Sequence, residues 1–385
     1  MLGPMASVSI VMLDRSSRQS FIAVAFGRRM ARWWLAGVLS VALSAAPVAA
    51  FADTSLAYYW QSARGHLSLW WSARSVQSWL DDTATDPKLA ERLRRAQQIR
   101  RFASESLGLP NNGSFTRYAQ LDRPFVLWNV QAAPELSLDP VRWCFPVAGC
   151  VAYRGFYSRE QAEEFANSLR GQGLDVQVNG VPAYSTLGWF DDLLLSSFID
   201  YPEPELAQLI FHELAHQVVY VPGETGFNES FATAVEIIGV RRWLEASGAG
   251  SAALEAWQAR RARRERFVAL LAQASAELRR AYATGESDEA KRAAKREALA
   301  ALRARAVHQK ALSPDFAAYD RWFAQDLGNA HLMAVGLYHE GIPAFMALYR
   351  EQGEDLPRFF EAVRAIAAQS PQARAERMAA LGSLR

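Results

Sequence analysis

The chain has 385 residues, 50% hydrophobic and 21% charged, with 42 basic against 40 acidic side chains and a formal charge of +2. That composition excludes a disordered chain and a strongly basic nucleic-acid binder, so no nucleic-acid partner is expected. Two cysteines are too few for a disulfide scaffold or a Cys-rich zinc module, so packing must stabilise the fold, and the placement of only six histidines carries information.

In chain order, the first feature is an uncharged run from Trp33 to Ala52 that follows Arg28, Arg29 and Arg32 and ends in the small-residue stretch Ser44 to Ala50. It reads as a secretory signal, with Ala50, Phe51 and Ala52 forming an A-x-A cleavage site before Asp53. The stretch before Arg28 is longer than an ordinary signal's first region, which makes Met12 and Met30 alternative starts. If retained, about 20 apolar residues just span a bilayer, so a membrane anchor is the alternative for residues 1–52. Either way the expected location is extracytoplasmic, in the periplasm or cell envelope. Five arginines and one aspartate fall in that segment, leaving 37 basic and 39 acidic groups in residues 53–385.

The pattern from Leu56 to Leu107 is helical, with Asp86 placed as an N-cap before Pro87 and an apolar stripe of Leu89, Leu93, Ala96, Ile99 and Ala103. Gly108 and Pro110 end it. Residues 111–200 change to short extended runs, Phe125 to Val130, Arg142 to Pro146, Val151 to Arg154 and Val176 to Val178, interrupted by a helix from Ser158 to about Leu169. Tyr184, Ser185 and Thr186 form a further short stretch. It reads either as an edge strand that pairs with an extended peptide substrate or as an ordinary core strand ending at Gly188. Asp191 and Asp192 suit a terminal amine or a helix cap. Cys144 and Cys150, with five residues between them, are able to bridge in an oxidising compartment.

Residues 201–250 carry the chemistry. His212, Glu213, Leu214, Ala215 and His216 form HExxH, and Leu206, Leu209, Ile210, Leu214 and Val218 around them recur at helical spacing. Side chains four apart share a helix face, so His212 and His216 aim at one ion, while Glu213 lies about 100° round the helix, placed to act on water. Pro222 and Gly223 stop this helix, and a second is expected from Asn228, as N-cap, to about Leu244. The 12 residues between His216 and Glu229 are enough for the second helix to return antiparallel, which makes Glu229 the third ligand of a single Zn2+. Two imidazoles and a carboxylate leave the fourth tetrahedral position open, as in a catalytic rather than a structural site. Thr233 and Glu236, four and seven residues on, share the face of Glu229 and are expected to hydrogen-bond the ligand histidines from behind.

Residues 251–385 return to helix. A charged pair of long helices meets near Thr284 and Gly285, with Phe267, Leu271, Ala274, Leu278 and Tyr282 as its apolar stripe. The arginine run from Arg260 to Arg266, interleaved with glutamates, reads as a solvated face. His339 and Glu340 start a second HExxH, but Pro343 stands where its second histidine belongs. His66 and His308 have no partner pattern.

His212 to Gln217 together with Asn228 to Glu236 resembles the gluzincin metallopeptidases, in particular zinc aminopeptidases, whose third ligand is the glutamate of an NExFA helix. More widely, Val126 to Val130, Cys144 to Tyr157, Ala183 to Asp192, the zinc segment and Leu327 to Tyr338 resemble a zinc aminopeptidase family of bacterial envelope proteins. The resemblance implies a zincin-like core, a peptide substrate, and a phenolic hydrogen bond from Tyr338 to the oxyanion, with His331 as the fallback. No GxMEN segment for holding a free amino group is found.

The expected fold is α+β and mostly helical, a zincin-like catalytic core with a small sheet and a long helical hairpin. The expected activity is zinc-dependent peptide-bond hydrolysis by an aminopeptidase, with Glu213 activating the water. An endopeptidase on the same site and a non-catalytic envelope assembly or binding factor are the alternatives.

Overall fold

The computed structural model describes residues 61, 64–145, 149–183, 190–333 and 341–383. The leader, the Tyr184–Ser185–Thr186 edge and Tyr338 lie outside the described residues.

The helical stretch expected up to Leu107 is interrupted. Residues 64–72 are helical, then come a two-residue strand β1 (Arg74–Ser75) and a short helix α1 (Val76–Leu80), before α2 (Pro87–Glu105). Asp86 caps α2 as its residue type predicts, its carboxylate accepting from the Lys88 N–H at 2.7 Å. Leu93, Ala96, Ile99 and Ala103 face inward along it, and Gly108, at φ +68°, supplies the left-handed turn that ends the segment.

The strands form small sheets. In the first, β2 (Arg117–Ala119) pairs antiparallel with β1 and parallel with β8 (Leu194–Leu195). In the second, β3 (Leu127–Pro134) is central, antiparallel to β6 (Arg154–Phe156) and to β7 (Leu174–Val181), in a register running from Leu127 opposite Val181 to Pro134 opposite Leu174. Trp128, Val130 and Ala132 alternate onto one face, where α3 (Arg159–Arg170) covers them with Ala162, Ala166 and Leu169. A separate hairpin, β4 (Trp143–Phe145) and β5 (Gly149–Val151), places Cys144 opposite Cys150, and the two are disulfide-bonded with a Cα–Cα separation of 3.9 Å.

The rest is helix: α4 (Glu203–His216), α5 (Thr225–Ala246), α6 (Gly250–Tyr282), α7 (Asp288–Leu312), α8 (Asp320–Phe323), α9 (Asn329–Leu332), α10 (Ile342–Glu351), α11 (Leu356–Ala367) and α12 (Pro371–Gly382). The fold is therefore α+β and mostly helical. Its largest core packs α2 and α4 against α5, with Phe231 of α5 surrounded by Phe345, Phe359 and Phe360 at ring-centroid distances of 5.7, 6.0 and 6.2 Å. Burying each such side chain stabilises the fold by about 1.5–3 kcal/mol. Among the described residues, no helix is long and apolar enough to cross a membrane.

The helical hairpin α6–α7 has its own core, Phe267, Leu271, Ala274 and Leu278 against Leu299, Leu302 and Ala306. A polar hub ties it to the second sheet. Asn329 is fully buried and donates from Nδ2 to the carbonyls of Pro134, Glu135 and Ser137 at 2.9, 2.8 and 3.0 Å, while its Oδ1 accepts from the Tyr282 hydroxyl at 2.9 Å. The arginine run is not a solvated face. Its arginines are half-buried, and Arg260 pairs with Glu205 of α4 at 2.9 Å while Arg263 and Arg266 reach Asp315. Packing of α6 on its neighbours draws these long side chains inward, which interleaved glutamates alone did not reveal.

Candidate metal centre

Helix α4 is held at both ends by side chains far away in sequence. In its first turn, Glu203 accepts from Arg95 of α2 at 2.5 and 2.6 Å and from the Trp243 indole of α5 at 2.9 Å. Midway, Gly239 of α5 lets the Phe211 ring approach, since a Cβ there would lie 2.6 Å from the ring. The side chains of the motif are then enclosed between α4 and α5: His212 is 5%, Glu213 1%, His216 1% and Glu229 7% exposed.

His212, His216 and Glu229 converge. Nε2 of His212 lies 3.2 Å from Nε2 of His216 and 3.3 Å from Oε2 of Glu229, and Nε2 of His216 lies 3.7 Å from Oε1 of Glu229. Four ligands at about 2.0–2.1 Å from a tetrahedral ion stand about 3.3–3.4 Å from one another; the closest approaches here involve both Glu229 oxygens, and one ligand atom from each residue lies within 4.8 Å of the others, close enough for side-chain adjustment to bring them onto one ion. The donor set agrees. Nδ1 of His212 faces Oε2 of Glu236 at 2.8 Å, a bond that keeps a proton on Nδ1, so that in the neutral ring the Nε2 lone pair faces the cluster. A second imidazole nitrogen and an acceptor-only carboxylate then point at the same place, and a buried concentration of acceptors needs a cation. This buried group is able to hold a metal ion.

Titration follows the same geometry. Burial works against a charged His212, but hydrogen bonds and negative charge from Glu229 and Glu236 hold its pKa well above the ordinary imidazole value. His216 lacks such a bond, and burial pushes it down to about 4, so it is neutral and ready to ligate. Glu229 stays ionised below the usual carboxylate range, its burial outweighed by the two imidazoles and the Arg264 guanidinium.

Glu236 stands where its spacing predicts, and its other oxygen accepts from Gln208 Nε2 at 3.1 Å. Gln208 in turn accepts from the Trp257 indole of α6 at 3.4 Å. Thr233 is half-buried, and among the described residues no hydrogen bond joins it to either histidine. Asn228 is not the N-cap. Helix α5 begins one turn earlier, at Thr225, and the Asn228 amide is used in a tertiary contact, accepting from Val221 N and donating to Val221 O, both at 2.8 Å. Glu229 consequently lies in the second turn, and α4 ends at His216, before Pro222.

Glu213 lines a cavity with His66, Trp70, Phe115, Asp191 and Asp192. Neither aspartate caps a helix. Asp191 is exposed and packs against Gly113, where a Cβ would lie 2.1 Å from its carboxylate. Asp192 is buried and accepts from Gln217, the residue after His216, at 3.0 Å. Arg100 of α2 holds the facing loop by donating to the carbonyls of Pro110, Asn112 and Ser114. His331 is not in the cluster; its Nδ1 accepts from Gly328 N at 3.1 Å and its ring faces Trp322. His308 is exposed.

Sequence reasoning missed Gln208, Tyr220 and Arg264. Gln208, four before His212 on one helix face, carried a readable signal. Tyr220 and Arg264 interact electrostatically with Glu229 only through the way loop and helix pack.

A comparison with curated proteins and one with solved structures give no match. Residues 57–378, which hold the described sheets, the helices that carry His212, His216 and Glu229, and the helical hairpin, match the model of one family, and the chain therefore belongs to the family described as Putative aminopeptidase.

Proposed function

We propose that the protein is a zinc-dependent aminopeptidase with one Zn2+ held by His212, His216 and Glu229. The observation that carries this reading is the convergence of His212, His216 and Glu229 on neighbouring helices, with closest approaches of 3.2–3.7 Å, and Glu213, the residue after His212, on the wall of a cavity. Family membership supports a peptide as the substrate class. When bound, zinc supplies Lewis acidity, polarising the substrate carbonyl and acidifying water.

The chain's residues do the rest. Glu213, buried at the cavity wall, takes the proton from the attacking water and passes it to the leaving nitrogen, so that the amine departs neutral. Glu236 keeps the His212 ring in the tautomer whose Nε2 faces the ion, and Gln208 keeps Glu236 in place. The zincin-like character of the core and the extracytoplasmic location belong to the same reading, the latter resting on the Trp33–Ala52 segment.

The test is Glu213→Gln in the full-length protein. The variant is expected to retain one zinc per chain and to lose hydrolysis of peptides with a free amino terminus. Equal cleavage of amino-blocked peptides by the unaltered protein would replace the aminopeptidase assignment with an endopeptidase. Full activity in zinc-free protein overturns the whole proposal.

A further inference from the structure

We propose that Gln217 is a positioning residue: it holds the wall of the Glu213 cavity in register with α4, so that a peptide entering the cavity meets Glu213 at a fixed offset. This role rests on the peptidase reading above.

Gln217 follows His216 directly and closes α4, its N–H bonding the Leu214 carbonyl at 3.1 Å. Its side chain is buried and used at both ends. Nε2 donates to the Asp192 carboxylate at 3.0 Å and to Ser114 Oγ at 3.2 Å, while Oε1 accepts from Asn112 Nδ2 at 2.7 Å. One amide therefore ties two earlier segments of chain to the end of the helix that carries His212, Glu213 and His216.

Those two segments are also joined to each other. The Asp192 N–H donates to Ser114 Oγ at 3.1 Å, and the Phe115 N–H to the Asp192 carbonyl at 2.6 Å. Asp192 and Phe115 both line the cavity with Glu213. The wall they form is strained. Phe115, bulky and buried, has φ +62°, in the left-handed region that residues with a large side chain disfavour. Such a conformation persists only where its surroundings over-determine it. Here the Phe115 carbonyl accepts from Gln97 Nε2 at 2.7 Å and the Ser114 carbonyl from Arg100 Nε at 2.8 Å, both from α2. Gln217 completes the set from the α4 side.

A strained wall shifts when a restraint is removed, and Gln217 is the restraint that refers this wall to Glu213, four residues earlier on α4. Rate is sensitive to that offset, since a misplacement of about 1 Å costs about 10²-fold. Gln217 itself moves no proton and touches no reacting atom. It acts through Asp192, Ser114 and Asn112.

The experiment compares the unaltered full-length protein with Gln217→Leu, Gln217→Glu, and Gln217→Glu combined with Asp192→Asn, in zinc content, thermal melting, and kcat and KM on a free-amino peptide. Gln217→Leu removes the three side-chain bonds without adding charge. Gln217→Glu sets two carboxylates face to face, and the combined change exchanges donor for acceptor across the same bond at unchanged net charge. The expected result is one zinc per chain throughout, KM raised about tenfold and kcat/KM lowered about 10²-fold in both single variants, and kcat/KM restored to within about threefold in the combined variant. A purely structural role lowers the folded fraction, and kcat with it, at unchanged KM; that outcome overturns the proposal, as does a combined variant no better than Gln217→Glu alone. If the unaltered protein hydrolyses no peptide, the peptidase reading fails and takes this role with it.

Discussion

The Glu236 carboxylate lies 2.8 Å from Nδ1 of His212 and holds the imidazole from the side opposite the ligand cluster. Its second oxygen is tied to Gln208, and Gln208 to Trp257 of α6, so the orientation of the His212 ring is set by three helices. Glu236→Ala removes the acceptor for a buried ring N–H and frees the ring to rotate. The expected effect is a zinc affinity about 10–100-fold weaker, measured by competition with a chromophoric chelator. Glu236→Gln, which keeps a carbonyl acceptor, is expected to lose less, and an affinity unchanged in both variants refutes the orienting role.

A second expectation concerns protons. In the metal-free protein His212 has a pKa well above 6.5, raised by Glu229 and Glu236, so at pH 7 it carries a proton that a metal must displace. His216 is already neutral, burial having lowered it to about 4. Zinc binding at pH 7 should release about one proton, and affinity should rise about tenfold per pH unit until the His212 value is passed. The linked stability has the same sign. A raised folded-state pKa stabilises the metal-free fold below about 6.5 and loses that contribution as pH climbs through the folded value. Calorimetric titration in two buffers of different ionisation enthalpy counts the protons directly, and a count of zero contradicts the charged His212.

Much of this was legible in the sequence because it is local. Asp86 and Ser158 cap the helices they precede, and the HExxH spacing alone puts two imidazoles on one face. Glu236 was reachable by counting turns from Glu229. What the sequence hid is long-range polar pairing, which leaves no period. Asn228 has the residue type of an N-cap, yet its amide bonds Val221 and the helix starts a turn sooner. Arg264 sits in a charged run that reads as surface, yet in the fold its charge acts on Glu229. Asp192 and Gln217 meet across 25 positions through a bond that neither neighbourhood announces.

The Asn228 clamp leads to a third prediction. Asn228→Ala leaves the half-buried Val221 N–H without its partner, while the Val221 carbonyl keeps only the Glu224 N–H at 3.2 Å, at a cost of about 1–3 kcal/mol. Because the loop joins the two helices that carry the proposed ligands, the loss should appear in zinc affinity and in kcat as well as in melting temperature. Asn228→Asp keeps the acceptor for Val221 N–H but loses the donor, and should fall between the two. Protease cleavage within residues 217–224 gives an independent readout: faster nicking of the alanine variant is expected, and identical rates count against the clamp.

Gly239 provides the most direct link between helix packing and the metal centre. It lies three residues beyond Glu236 on α5, and a Cβ there would meet Phe211 Cδ2 at 2.6 Å and Leu107 Cδ1 at 2.9 Å. Phe211 is the residue before His212, and both contacts come from fully buried side chains that have nowhere to retreat. Gly239→Ala gains helix propensity, worth about 1 kcal/mol, but overpacking a filled core costs about 1–3 kcal/mol. The net expectation is destabilisation. The strain also falls between α4 and α5, so relief by separating the helices moves His212 and His216 away from Glu229. Zinc affinity should therefore drop in Gly239→Ala beyond what the same change in melting temperature produces at a core position remote from the cluster. Leu302→Ala, in the separate α6–α7 core, supplies that control. Equal zinc affinity in the two variants at matched destabilisation shows that helix spacing does not set the ligand geometry.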